Sequence, residues 1–305
     1  MTRSLKRRLA HVAARRFAQR SAPVFLDRAV VSFSFDDFPK SAATTGARIL
    51  EDRGLRGTFY ATASNMGRVV NGVRQYDAED LARLSERGHE IGCHSATHPW
   101  LARETEDRIL TEFEANRDHL ALLGHTKPLR THAYPYGDVS PRVKRHAGRW
   151  FAASRGIWPG LNEGHIDLAL LRCVSLEPHI LVRRSARDWI DLAVRRKAWL
   201  IFLTHDVTED HSRYGTDPGA LAGVVDHAIA AGAAVLPVAE ALDLALARPR
   251  EPQAETRLEG LADGRGLAAG GLAAGGLAAG GLGTGGLGAG ALPTVGAVTG
   301  GMARA

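Results

Sequence analysis

From residue 29 to residue 245 the chain repeats one pattern: a short, almost wholly apolar run followed by a polar stretch with helical spacing. The predicted strands are Ala29–Phe35, Gly57–Ala63, Glu90–His94, Thr131–Tyr134, Trp150–Ser154, Arg172–Glu177, Trp199–Leu203 and Ala233–Val238. Helices are predicted between most of them, over Thr44–Arg53, Asp77–Arg87, Thr105–Leu123, Ser185–Arg196 and Pro218–Ala231. Such alternation builds a parallel sheet, open or closed into a barrel. Strands that are apolar throughout fit it, because both faces of a parallel sheet are covered. Ligands in these folds bind beyond the carboxyl ends of the strands, so the residues leaving each apolar run carry the functional question.

The two ends of the chain are different in kind. Residues 1–26 hold seven basic side chains (Arg3, Lys6, Arg7, Arg8, Arg15, Arg16, Arg20) and no acid. Removing those seven from the net charge of +6 leaves the remainder at −1, so no nucleic-acid partner is expected despite the basic total. Leu5, Leu9, Val12 and Phe17 recur at near-helical spacing among the arginines, so residues 1–28 read as a basic amphipathic arm. It is expected either to rest on the domain as a solvated helix or to meet an anionic membrane surface. It lacks the apolar segment of a secretory signal, which makes a cytoplasmic location, peripheral to the inner face of the membrane, the expectation. At the other end, residues 251–305 hold 17 of the 34 glycines, and leucine recurs every five residues from Leu267 to Leu292. That period places no apolar stripe on a helix or strand, so this segment reads as a disordered Gly/Ala/Leu tail. Two cysteines, Cys93 and Cys173, make no disulfide framework.

Chemistry gathers at the strand exits. The first strand runs into Asp36-Asp37, whose side chains should diverge, so that one carboxylate binds a metal while the other acts separately. The third ends at His94 and is followed four residues later by His98, a spacing that suits a divalent metal. The seventh ends in Thr204-His205-Asp206, and a histidine there suits a proton donor. Each feature alone has a bland reading as a cap, a loop or a core histidine. Together they describe one hydrolytic site: a three-ligand metal centre with open positions, a base and an acid.

The set Phe35-Asp36-Asp37, His94-Ser95-Ala96-Thr97-His98, Tyr134-Pro135-Tyr136-Gly137, Asp188-Trp189 and Leu203-Thr204-His205 resembles the polysaccharide deacetylases with a NodB homology domain, carbohydrate esterases of the fourth family. Gly57-Thr58-Phe59-Tyr60, Arg87–Gly92 and Val235–Val238 match as well. The resemblance implies a distorted (β/α) barrel over residues 29–250. It also implies hydrolase activity on N-acetyl groups of an amino sugar, oligosaccharide or polysaccharide, with a divalent metal: zinc first, cobalt and manganese as the alternatives. Carried over by position, Asp36 would be the base, and Asp37, His94 and His98 the ligands. His205 would be the acid, and Tyr136 the backbone oxyanion donor. Leu203 would line the acyl pocket, Trp189 would wall the groove and Asp188 would hold His205, with Tyr134 and Pro135 also on the substrate side.

Three positions depart from that pattern. The arginine that opens the third motif and pairs with the base is Ala133 here, with Arg155 or Arg172 as candidate substitutes. Phe38-Pro39 replaces Gly-Pro, and Ser185 stands where the fourth motif has its first Asp. A deformylase or amidohydrolase on a lipid-linked sugar or small amide, and a silent carbohydrate-binding barrel, are the alternative readings. Cys93 is expected to pack rather than bind metal. His89, His125, His132, His165 and His211 read as surface or capping residues, and Trp100, Trp150 and Trp199 as core.

Overall fold

The computed structural model describes the backbone of residues 2–248 and side chains from residue 9 onward, so the expected tail at 251–305 lies outside the described residues. Eight strands form one parallel sheet: β1 (Val30–Phe35), β2 (Thr58–Ala61), β3 (Glu90–Cys93), β4 (Thr131–Ala133), β5 (Ala153–Arg155), β6 (Val174–Ser175), β7 (Trp199–Thr204) and β8 (Ala234–Val235). Their order is β6-β7-β1-β2-β3-β4-β5. β8 pairs with the first half of β1, and β2 with its second half. The sheet curls into a distorted barrel, and the segment 168–171 hydrogen-bonds along β5 before the chain turns into β6. The helices are α1 (Thr2–Arg16), α2 (Ala47–Glu51), α3 (Ala78–Glu86), α4 (Glu106–Leu122), α5 (Pro141–Trp150), α6 (Ala186–Arg196), α7 (Pro218–Ala230) and α8 (Val238–Leu246).

The period-2 alternation of strands sorts the core into two layers. Val31, Phe33 and Phe35 pack outward with Leu50 of α2, Ile190 of α6 and Val225 of α7. Val30 packs on the inner face with Ile201, Leu203 and Leu242 of α8. The inner face also carries a buried polar column. Thr131 and Thr58 donate to Glu90, and the first amides of α8, Val238 and Ala239, donate to Thr58 and Glu90. The Tyr60 hydroxyl donates to Thr131 at 3.2 Å, and the Arg155 guanidinium lies 4.7 Å over the Tyr60 ring. Gly92 makes room for this ring: a Cβ there would sit 2.5 Å from it.

Several expectations shift. The predicted strand Trp150–Ser154 begins at Ala153, because α5 runs through Trp150. α5 itself went unread, although the Ser140 cap and Pro141 at the first helical position announce it. The predicted helix over Thr44–Arg53 opens as a π-turn, Ala42–Gly46, before α2. His89, His125 and His132 are buried, not surface residues. Neighbours of opposite parity decide His132: Thr131 and Ala133 face inward, so its ring packs outward against Phe113 and Phe151. Trp199 is core as expected, whereas Trp100 is exposed and stacks on Tyr136.

Candidate active site and metal centre

Parity along β1 carries Ser32, Ser34 and then Asp36 to the inner face. Asp36 is buried there, and its Oδ1 accepts from the Arg155 Nη2 of β5. Arg155 is fully buried and stands directly opposite Ala133 in the β4–β5 register. The charge missing at position 133 is thus supplied from the next strand at the same level. Arg172, the other candidate, donates instead to the Pro159 carbonyl.

After Asp36 the chain leaves strand geometry: Asp37 has φ 59° and Phe38 φ 61°. Ser95 (67°), His98 (54°) and Tyr136 (57°) are left-handed too, so five of the seven non-glycine residues with positive φ among the described residues lie in the three site loops. Such conformations cost of order 1–3 kcal/mol each and persist where the surrounding structure over-determines them. Their effect is convergence. Asp37 Oδ1 lies 3.6 Å from His94 Nε2 and 3.2 Å from His98 Nε2. Together the three offer ligand atoms within 4.8 Å of one another.

This donor set fits a divalent cation. His94 Nδ1 donates to the Ala133 carbonyl at 2.7 Å, which leaves Nε2 as the lone-pair nitrogen. Burial, reinforced by neighbouring His98, pushes the His94 pKa down to about 3, and burial lowers that of His98. Both rings are neutral, as ligands must be. Burial disfavours the Asp37 carboxylate, but the charge that His98, His94 and His205 carry when protonated outweighs it and brings its pKa below the ordinary value. Its buried Oδ1 has no hydrogen-bond donor, an orphan that a cation would satisfy.

His205 continues the inward parity of Ile201 and Leu203, and its Nδ1 meets the Tyr214 carbonyl at 3.3 Å. The loop that presents this carbonyl is organised by buried Asp206, whose carboxylate accepts from the amide and hydroxyl of Ser212, both at 2.6 Å. Gly215 packs so closely on Asp206 that a Cβ would sit 2.6 Å from the carboxylate. Tyr136 sets its ring edge-on to His98, 4.4 Å between centroids, and is stacked in turn by Trp100 at 4.1 Å.

Four expected roles do not survive. Asp188 does not hold His205: its carboxylate accepts from the Ser185 amide and hydroxyl in a capping box at the start of α6. Trp189, under the Arg184 guanidinium, walls a separate cavity with Arg15 and Arg172 rather than the groove at the metal set. Tyr134 has the outward parity of its strand and is buried, its hydroxyl donating to the Ala169 carbonyl, so it offers a substrate nothing. Pro135 is buried in the 3-10 turn that carries Tyr136. Leu203 packs on the inner face with Val30 and Ile201. Asp206 and Trp100 were missed, though Asp206 directly follows the histidine already singled out.

Residues 26–150 match the family model for polysaccharide deacetylase. That match spans 125 of the 305 residues, and within it the chain is similar to the polysaccharide deacetylases. Over 179 residues, 59% of this chain and 51% of the relative, it is 27% identical to chitin deacetylase 2 of Saccharomyces cerevisiae. Over 118 residues, 38% of this chain and 23% of the relative, it is 28% identical to the peptidoglycan-N-acetylmuramic acid deacetylase PdaC of Bacillus subtilis. The chain thus spans about half or less of the length of these two curated deacetylases. The solved structure of the Bc1960 peptidoglycan N-acetylglucosamine deacetylase shares the fold, with 17% identity and a TM-score of 0.52 over 74% of this chain and 94% of that one.

Proposed function

We propose that this chain is a metal-dependent hydrolase that removes N-acetyl groups from an amino sugar within a glycan. The observation that carries the reading is the convergence of Asp37, His94 and His98 beside an Asp36 paired with buried Arg155. Two imidazoles and a carboxylate suit zinc. When bound, the ion supplies a polarised water and a positive charge beside the acyl oxygen. Arg155 engages Oδ1 of Asp36, and Oδ2 is the oxygen that takes the proton of the attacking water. The Tyr136 amide, in the turn next to His98, serves as the donor to the developing oxyanion. His205, with Nδ1 on the Tyr214 carbonyl, carries on Nε2 the proton that the departing amine needs.

The test is release of acetate or formate by the metal-loaded chain from N-acetyl and N-formyl amino sugars and their oligomers. Acetate from N-acetylated substrates, lost in Asp36→Asn, supports the reading. Formate alone favours a deformylase. Absence of both from a fully loaded protein identifies a silent barrel.

A further inference from the structure

α1 is docked with its rotation fixed, and it turns Leu9 and Val12 away from the domain. The inward side is small and polar. Ala14 is buried, His11 meets Asp138 at 2.8 Å, and buried Lys144 donates to the carbonyls of Ala14 (2.7 Å) and Phe17 (2.8 Å) while pairing with Asp167. On a 3.6-residue helix, Leu9 and Val12 lie about 140° and 160° from Ala14, on the outer side. They are 60% and 54% exposed, and Phe17, just past the helix, is 72% exposed. An amphipathic helix that served only to cover the domain would show the opposite rotation.

The last turn of α1 opens on a cavity of about 560 Å³ away from the Asp37–His94–His98 group, lined by Arg15, Arg16, Arg172, Arg184 and Arg196. Its two acids, Glu163 and Asp167, are engaged by Arg196 and by Lys144. Two residues before Arg184, Val182 is 82% exposed. Exposed apolar side chains thus neighbour the lining arginines along the chain in both segments, Phe17 beside Arg16 and Val182 two residues before Arg184. Among the described residues no helix is long and apolar enough to cross a membrane.

We propose that this face binds the surface of an anionic phospholipid bilayer. Leu9, Val12 and Phe17 enter the headgroup boundary, and the arginines of the cavity receive lipid phosphates. A soluble anion would need the arginines alone. The outward apolar residues are what select a lipid surface.

The experiment is co-sedimentation of the full chain with vesicles of phosphatidylcholine, with and without phosphatidylglycerol, at low and high salt. Binding is expected only to the anionic vesicles and should weaken as salt rises. Val12→Asp combined with Leu9→Asp should lower partitioning at least tenfold, and Arg16→Ala or Arg184→Ala about fivefold each, from the value of a basic residue near an anionic surface. Circular dichroism and acetate release from a soluble substrate should be unchanged in these variants, which separates the proposal from the catalytic reading. Equal binding to both vesicle types overturns it, as does full binding by the doubly substituted chain. So does a parent dimer that Val12→Asp converts to monomer, because a second copy would then be what covers the face.

Discussion

Replacing Arg155 with methionine, which is similar in length but uncharged, tests whether the arginine of β5 does the work expected of position 133. Arg155 and Asp36 are side chains with 0% and 5% exposure, so neither is solvated in the folded protein. Removing one partner of a buried pair leaves an uncompensated charge, at a cost of about 3–5 kcal/mol. Protonation of Asp36 relieves that cost and removes the base. Turnover near neutral pH should therefore fall by about 10²–10⁴, the usual contribution of a positioned base, while metal content stays at the parent level. Part of the rate should return as pH rises. Ala133 is the register partner of Arg155, so Ala133→Arg in the Arg155→Met background should restore rate and pH profile together. The assays are acetate release across pH, metal analysis and urea unfolding. A parent-like rate and pH profile in Arg155→Met would refute the assignment.

Ser212→Ala and Asp206→Asn should loosen the loop that presents the Tyr214 carbonyl to His205, lowering kcat about tenfold or more with metal retained; an unchanged kcat would separate the loop from the acid. His89, His94, His98, His125 and His132 all have pKa values lowered chiefly by burial. For a base this means stability that is complete above the unfolded value near 6.5 and is lost as pH falls below it, by up to about 1.4 kcal/mol per histidine per pH unit. The urea midpoint of metal-free protein should therefore drop steeply between about pH 6.5 and 5, and a flat profile would contradict the burial of these rings. Gly92→Ala would press a Cβ into the Tyr60 ring and should destabilise the fold by about 1–3 kcal/mol in urea unfolding; a neutral result would mean the ring moves freely.

The Asp36-Asp37, His94, His98 and His205 positions were legible because apolar runs mark strands, and strand ends mark the site. What the sequence hides is pairing across strands. Arg155 is 22 positions from Ala133 along the chain, and only the β4–β5 register makes them neighbours. Other misses were legible in principle. Ser185-Ala186-Arg187-Asp188 has the spacing of a capping box, which competes with any role for Asp188 at His205. Tyr134 and His132 share a parity opposite to Thr131 and Ala133, which already argues against both a substrate role and a surface position. The positive φ values at Asp37, His98 and Tyr136 had no glycine to announce them.

The central claim is that Asp37, His94 and His98 hold a catalytic metal while Asp36 and His205 move protons. Its most direct test is metal content measured alongside turnover in Asp36→Asn, Asp37→Asn, His94→Ala, His98→Ala and His205→Ala. About one divalent ion per chain is expected in the parent, Asp36→Asn and His205→Ala, with turnover lost in both of these variants. Metal should be lost from the two ligand-histidine variants and weakened in Asp37→Asn, where added metal restores part of the rate. Undiminished metal in both His94→Ala and His98→Ala, or loss of metal from Asp36→Asn with full metal and rate in Asp37→Asn, would contradict it.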